Sequence, residues 1–162
     1  MIVEVRNDLQ IEFVEQIAIE IWNEYFTPII GKSQVDYMLE KFQSKKAISE
    51  QIKQGYSYFL IKNNDEFIGY FGVLSKENNL FLSKLYIKGS YRHKGYGKKA
   101  LAFIEELASA KGLNKITLTV NKNNHETILA YEKMGFKNLG STIKDIGSGF
   151  IMDDYKMEKT LQ

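Results

Sequence analysis

Cysteine is absent from all 162 residues, and proline occurs once, at Pro28. The first absence excludes disulfides, thiolate metal sites, iron–sulfur clusters and a cysteine nucleophile. The second leaves no proline-rich linker, and the glycines are scattered rather than gathered into a flexible tract. No apolar run approaches the roughly 20 residues of a membrane-crossing helix. "MIVEVRNDLQ" lacks the basic and apolar blocks of a secretory signal. Charge of one sign is missing too: 22 basic against 20 acidic residues leave a net +2, too little by itself to point to nucleic acid or a membrane. One cytoplasmic domain spanning residues 1–162 is the expectation.

The chain does carry a clear change of period. "IVEV" reads as a first strand, and from Asp8 the stripe Leu9, Phe13, Ile17, Ile21 predicts an amphipathic helix over about 8–25. Pro28 and Gly31 interrupt it. Ser33 and Ser44 are then expected to cap two further helices, the second ended by Gly55. After Gly55 the period falls to two. "YSYFLIK", "EFIGYFGVLS" and "LFLSKLYIK" predict three antiparallel strands, with Gly69 and Gly72 marking a bulge. Ala100, Leu101, Ile104, Leu107 and Ala108 form a helical stripe, "KITLTV" has the composition of a buried central strand, and "NHETILAYEKM" reads as a helix with Asn124 at its cap. "FKNLGSTI" and "GFIMDDYKMEKTL" close the chain as two strands. The predicted class is α+β, a mixed sheet of about seven strands flanked by helices, with one strand–helix–strand crossover after Ile87.

The crossover opens on "YRHKGYGKKA", residues 91–100. Backbone N–H groups at a helix start lack intrahelical acceptors, and the helix dipole adds positive potential there. Gly95 and Gly97 let those amides approach a ligand closely, and Arg92, Lys94, Lys98 and Lys99 add charge, so the stretch suits a phosphate or pyrophosphate. It is neither GxxxxGK[ST] nor GxGxxG. On the loop alone, a glycine-containing turn with solvated lysines explains it equally well.

Arg92-His93-Lys94-Gly95-Tyr96-Gly97 fits [QR]-x-x-G-x-[GA], and this resembles the acyl-CoA pyrophosphate loop of the GNAT family of N-acetyltransferases. Some thirty residues on, "NNHETILAYEKMGF" resembles that family's N-x-x-A-x-x-x-Y-x-K-x-G-F helix. Asn124, Tyr131, Lys133, Gly135 and Phe136 match, and Thr127 stands where alanine is usual. The likeness is strong over residues 56–160 and only of type in the N-terminal helices.

The resemblance implies an acyl-CoA N-acyltransferase fold with acetyl-CoA as cosubstrate and no metal. It places the backbone of Leu85, Tyr86 and Ile87 along the pantetheine arm, and Arg92, His93, Lys94, Gly95, Tyr96, Gly97 and Lys98 around the pyrophosphate. Asn124 and Lys133 would face the cofactor. Tyr131 takes the role of the acid that protonates the departing thiolate, a task suited to a phenol; on the plain reading it is a buried aromatic holding its helix to the sheet. Asn124 reads equally as a simple helix cap.

No single carboxylate identifies itself as the base. Glu20 and Glu24, Asp36 and Glu40, and Asp153 and Asp154 are candidates for an acceptor site and otherwise surface charges. Tyr25, Tyr37 and Tyr70 are pocket candidates or core aromatics. His93 and His125 lack a metal-ligand pattern.

The expected function is direct transfer of acetyl from acetyl-CoA to a primary amine, without an acetyl-thiol enzyme intermediate because there is no cysteine. "IWNEYFTPIIGKSQVDYMLEKFQS" resembles bacterial spermine/spermidine acetyltransferases, which makes a polyamine or other small amine the favoured acceptor. Protein N-termini, protein lysines and aminoglycosides stay open. Two other classes are also open. One is an acetyl-CoA sensor without turnover. The other is a single-stranded nucleic-acid surface built from Lys84, Lys88, Arg92, Lys94, Lys98 and Lys99 interleaved with Tyr86, Tyr91 and Tyr96. Nucleic acid and membrane are not the expected partners, and unpaired edge strands are compatible with a homodimer.

Overall fold

A computed structural model describes residues Met1–Gln162. The chain runs β1 (Ile2–Glu4), α1 (Asp8–Ile21), α2 (Thr27–Ile30), α3 (Lys32–Met38), α4 (Lys45–Lys53), then β2 (Ser57–Asn63), β3 (Glu66–Ser75) and β4 (Leu80–Ile87). After these come α5 (Tyr96–Ala110), β5 (Lys115–Asn121), α6 (His125–Lys133), β6 (Lys137–Gly147) and β7 (Phe150–Thr160). The seven strands form one mixed sheet in the order β1-β2-β3-β4-β5-β7-β6. Only β4 and β5 are parallel, joined by the expected crossover through α5.

Each face of the sheet carries its own core, because buried side chains alternate along the strands. One packs Phe59, Phe71, Leu82 and Leu118 against Ile104 of α5 and Tyr131 of α6. The other packs Tyr58, Leu60 and Tyr70 against Val14, Ile21 and Trp22 of the N-terminal helices.

The N-terminal helices depart most from expectation. The buried stripe of α1 is Ile11, Val14, Ile17, Ala18 and Ile21. Leu9 is 61% exposed, so the expected stripe is rotated: two apolar rows share Ile17 and Ile21, and sequence spacing alone does not choose between them. Pro28 does not break the path. A π-helical stretch, Trp22–Phe26, leads into α2, where proline sits in the first turn and needs no donor. Gly31, at φ +85°, occupies the position before α3, and Ser33 lies inside the helix rather than capping it. Ser44 does cap α4, accepting from Ala47 N–H at 3.2 Å. Both glycines expected at a bulge in β3 lie beside register shifts, one opposite Ile61/Lys62 and one at Gly72/Val73.

Candidate active site

Strands β4 and β5 pair only at Leu80↔Ile116 and Phe81↔Thr117. Beyond Phe81 they separate, so one backbone edge of β4 through Ile87 has no partner strand, while the other remains paired with β3 as far as Gly69↔Ile87. Unpaired strand amides and carbonyls invite an extended ligand.

Three cavities share walls at this opening. A groove of about 500 Å³ runs beside Leu85, Ile87, Tyr96, Gly97 and Lys133. A narrow space of about 110 Å³ lies in the split itself, between Leu85 of β4 and Leu118 of β5. A larger cavity of about 1030 Å³ opens toward α4, walled by Gln51, Tyr56 and Thr142. Tyr131 borders the groove and the narrow space. Lys84 and Asp154 border the narrow space and the larger cavity. Tyr86 lines all three.

The groove ends at the start of α5. Gly95 holds φ +88°, and no side chain caps the helix. The amides of Tyr96, Gly97 and Lys98 therefore have no protein acceptor, the first regular bond in this region being Lys99 N–H to Gly95 at 3.1 Å. A Cβ placed on Gly95 or Gly97 would meet nothing within 4 Å. The glycines are therefore not demanded by packing, and they leave the amides open on the groove side. The charged residues of this loop divide. Arg92 is fixed: its Nε donates to the Ile87 carbonyl at 3.1 Å and its guanidinium lies 4.0 Å from the centre of the Tyr25 ring. His93 pairs with Glu126 at 2.8 Å on the surface. Lys94 and Lys98 are exposed and lie outside the groove wall.

Tyr131 is 7% exposed and packs edge-on against Phe136, ring centres 5.2 Å apart. Burial alone pushes its pKa above the ordinary tyrosine value. Asn124 lines the groove but does not cap α6 with its side chain. Its Oδ1 accepts from the Tyr25 hydroxyl at 2.6 Å, so the plain cap reading is replaced by a link between the N-terminal helices and α6. That link also moves Tyr25 to the groove side of the opening. Tyr37 donates to the Ile146 carbonyl at 2.5 Å and packs on Phe150. Tyr70 is core, donating to Gln43 at 2.7 Å.

The carboxylates separate as sharply. Glu20 faces Lys88, Asp36 pairs with Lys32 and Asp153 with Lys122. Glu24 packs where a Cβ on Gly89 would fall. Glu40 is exposed at the rim of the larger cavity. Asp154 alone is buried, on β7 opposite Asn121 of β5, and its pKa is raised to about 6 by burial and by neighbouring Asp153, against the pull of Lys122.

Lys84 shows what the sequence concealed. Read on a surface strand it belonged to a cationic stripe, yet it is 7% exposed and points into the helix-side core. Its Nζ donates to the Phe42 carbonyl at 2.6 Å, Gln51 Oε1 at 3.0 Å and Tyr58 OH at 2.5 Å. Burial lowers its pKa to about 7. With Lys84 inside and Tyr86 walled by Trp22, Phe26 and Tyr70, the interleaved nucleic-acid surface loses its first two members.

The chain's relatives agree with this geometry. The model of the acetyltransferase (GNAT) family matches residues 16–136. The spermidine N(1)-acetyltransferase of Thermoplasma acidophilum is 28% identical over 162 residues, covering 94% of this chain and 97% of that protein. The crystal structure of PaiA N-acetyltransferase from Thermoplasma acidophilum in complex with coenzyme A superposes with a TM-score of 0.81 at 23% identity, covering 99% of each chain. A GNAT-family acetyltransferase from Staphylococcus aureus Mu50 does so at 0.75 with 20% identity, over 100% of this chain and 99% of that one. With its split sheet and uncapped glycine turn, the chain belongs to the GNAT family of acetyltransferases.

Proposed function

We propose that the protein transfers acetyl from acetyl-CoA directly to a primary amine, with the two substrates entering from opposite sides of the sheet. The observation that carries this reading is the row of three cavities, with Tyr131 at one junction and Asp154 at the other. In this reading the free amides of Tyr96, Gly97 and Lys98 hold the pyrophosphate, helped by the helix dipole. The unpaired edge from Leu85 to Ile87 pairs with the pantetheine amides. Asn124 and Lys133 line the arm, and the long surface lysines Lys94 and Lys98 supply charge from outside the wall.

Chemistry then falls in the narrow space. Asp154 takes the proton of the acceptor's ammonium, a role that a carboxylate titrating near 6 fills at neutral pH. The freed amine lone pair forms the C–N bond to the acetyl carbonyl carbon, and the C–S bond breaks. Tyr131 donates its hydroxyl proton to the departing sulfur, and the second proton, which the attacking nitrogen sheds as the amide forms, restores the phenol. Its raised pKa would make it a poor acid in water. In the same dry space a thiolate is also destabilised, so the two pKa values rise together.

The name of the 28% identical relative favours a polyamine as acceptor. Thiol release from acetyl-CoA across a panel of amines tests the activity, and Tyr131→Phe tests the acid. Release that depends on the amine and falls sharply in the variant supports both.

A further inference from the structure

We infer that the acceptor is an amine that also carries an anionic group, an amino carboxylate or its like, rather than a polycation. The inference rests on the acetyltransferase reading and sets an amino carboxylate in place of the polyamine that the relative's name suggests. Lys84 and Asp154 are the only buried side chains of the molecule that carry formal charge. Both line the narrow space and the larger cavity, yet no ion pair joins them, and neither has an ion pair elsewhere (the nearest acid to Asp154 in sequence, Asp153, is engaged by Lys122). The three N–H groups of Lys84 go to a carbonyl, an amide oxygen and a hydroxyl. These fix the ammonium without neutralising it.

A buried charge without a counter-ion is costly, and when it lines a cavity its missing partner is most simply the ligand. Here two unmatched charges of opposite sign face one space. An ammonium meets Asp154, where proton removal is needed, and a carboxylate on the same molecule is held by the positive charge of Lys84, whose three N–H groups stay on their protein acceptors. Trp22 adds a third unmet group. Its Nε1–H is buried without a hydrogen bond, and Trp22 lines both cavities. Tyr70's hydroxyl, which donates to Gln43 and keeps its lone pairs, lies near the indole N–H, but no bond of normal geometry joins them. An N–H donor suits a carboxylate oxygen and offers nothing to an ammonium. The rim adds Lys41, Lys46 and Lys144 against Glu40 and Glu50. A trication would therefore meet like charge inside and no net attraction at the mouth, whereas a molecule bearing both signs satisfies every unmatched group.

The test compares glycine, β-alanine, 4-aminobutyrate and 5-aminopentanoate with alkylamines of matching length and with spermidine, by initial rates of thiol release. At least one amino carboxylate is expected to exceed its alkylamine counterpart and spermidine about tenfold or more in kcat/KM, and Lys84→Met is expected to collapse that ratio toward one. Spermidine or the alkylamines matching the amino carboxylates overturns the inference while leaving acetyl transfer intact. Should no amine turn over, calorimetric titration of the same amino carboxylates into the wild-type protein saturated with CoA decides. Binding tighter than that of the alkylamines supports the inference, and equal or absent binding overturns it. A rise in melting temperature with acetyl-CoA, measured in parallel, reports separately on the cofactor groove.

Discussion

At the residue scale, the proposed mechanism gives Tyr131 and Asp154 the chemistry, Lys84 carries a buried charge without an ion pair, and each makes a separate claim. Tyr131→Phe removes one oxygen from a buried ring that keeps its packing on Phe136. It is expected to lower kcat by roughly 10²–10⁴-fold, the usual worth of a positioned acid, with acetyl-CoA affinity unchanged in an equilibrium titration. For Asp154, the raised pKa of about 6 sets the acid limb of the reaction. kcat/KM is expected to rise with pH through that region as the carboxylate forms, and Asp154→Asn to abolish both the inflection and most of the rate. Lys84 contributes to stability with the opposite dependence from an ion-paired lysine. Unfolded lysine holds its proton to about 10.4, whereas the folded side chain releases it near 7. Between those values the unfolded chain binds more protons, so this group's penalty is full below pH 7 and fades as pH rises. The gain in melting temperature of Lys84→Met over wild type should therefore be greatest near pH 6 and shrink toward pH 10. Of these residues, Tyr131 stands out as a candidate in the sequence because its helix motif is local. Lys84 and Asp154 do not. One looked like a surface cation and the other was one of six undistinguished carboxylates, and only the order β4-β5-β7 brings them to the same opening.

At the element scale, the split between β4 and β5 and the glycine turn into α5 make the groove. The turn offers a clean separation of fold from function. Gly97 has a backbone that any residue can adopt, with nothing within 4 Å of a Cβ, so Gly97→Val should leave the melting temperature nearly unchanged. A ligand seated on those amides has no room for the added methyls, and affinity for acetyl-CoA should fall at least about tenfold in the same preparation, ~1.4 kcal/mol. Gly69 behaves oppositely. Its Cβ would fall 2.5 Å from the Tyr86 carbonyl, so Gly69→Ala must push β3 from β4 and should cost about 1–3 kcal/mol in denaturant unfolding. Strand and helix order was readable because hydrophobic period and glycine punctuation are local properties. The α1 stripe, the start of α3 at Gly31 rather than a Ser33 cap, and the side-chain cap read at Asn124 are where the structure differs. Each depends on which neighbour the helix meets, and that neighbour comes from a distant part of the chain, as Tyr25 does for Asn124.

At the scale of the whole molecule, the sheet acts as a partition with one gap in it. Two cores, one on each face, hold α5 and α6 on one side and the N-terminal helices on the other, so in the proposed reaction the substrates meet only through the split. Ligand binding to the folded state alone should stabilise it: acetyl-CoA at about 100 times its Kd adds ~2.7 kcal/mol, or about 5–11 °C for a chain of this length. The most direct test of the central claim follows thiol release from acetyl-CoA with a thiol-reactive dye while mass spectrometry counts acetylated amine. The absence of cysteine means that every thiol detected comes from CoA. Amine-dependent release of one thiol per acetyl-amine formed, lost in Tyr131→Phe, is the expected result. Acetyl-CoA that neither shifts the melting temperature nor yields thiol with any primary amine would contradict it.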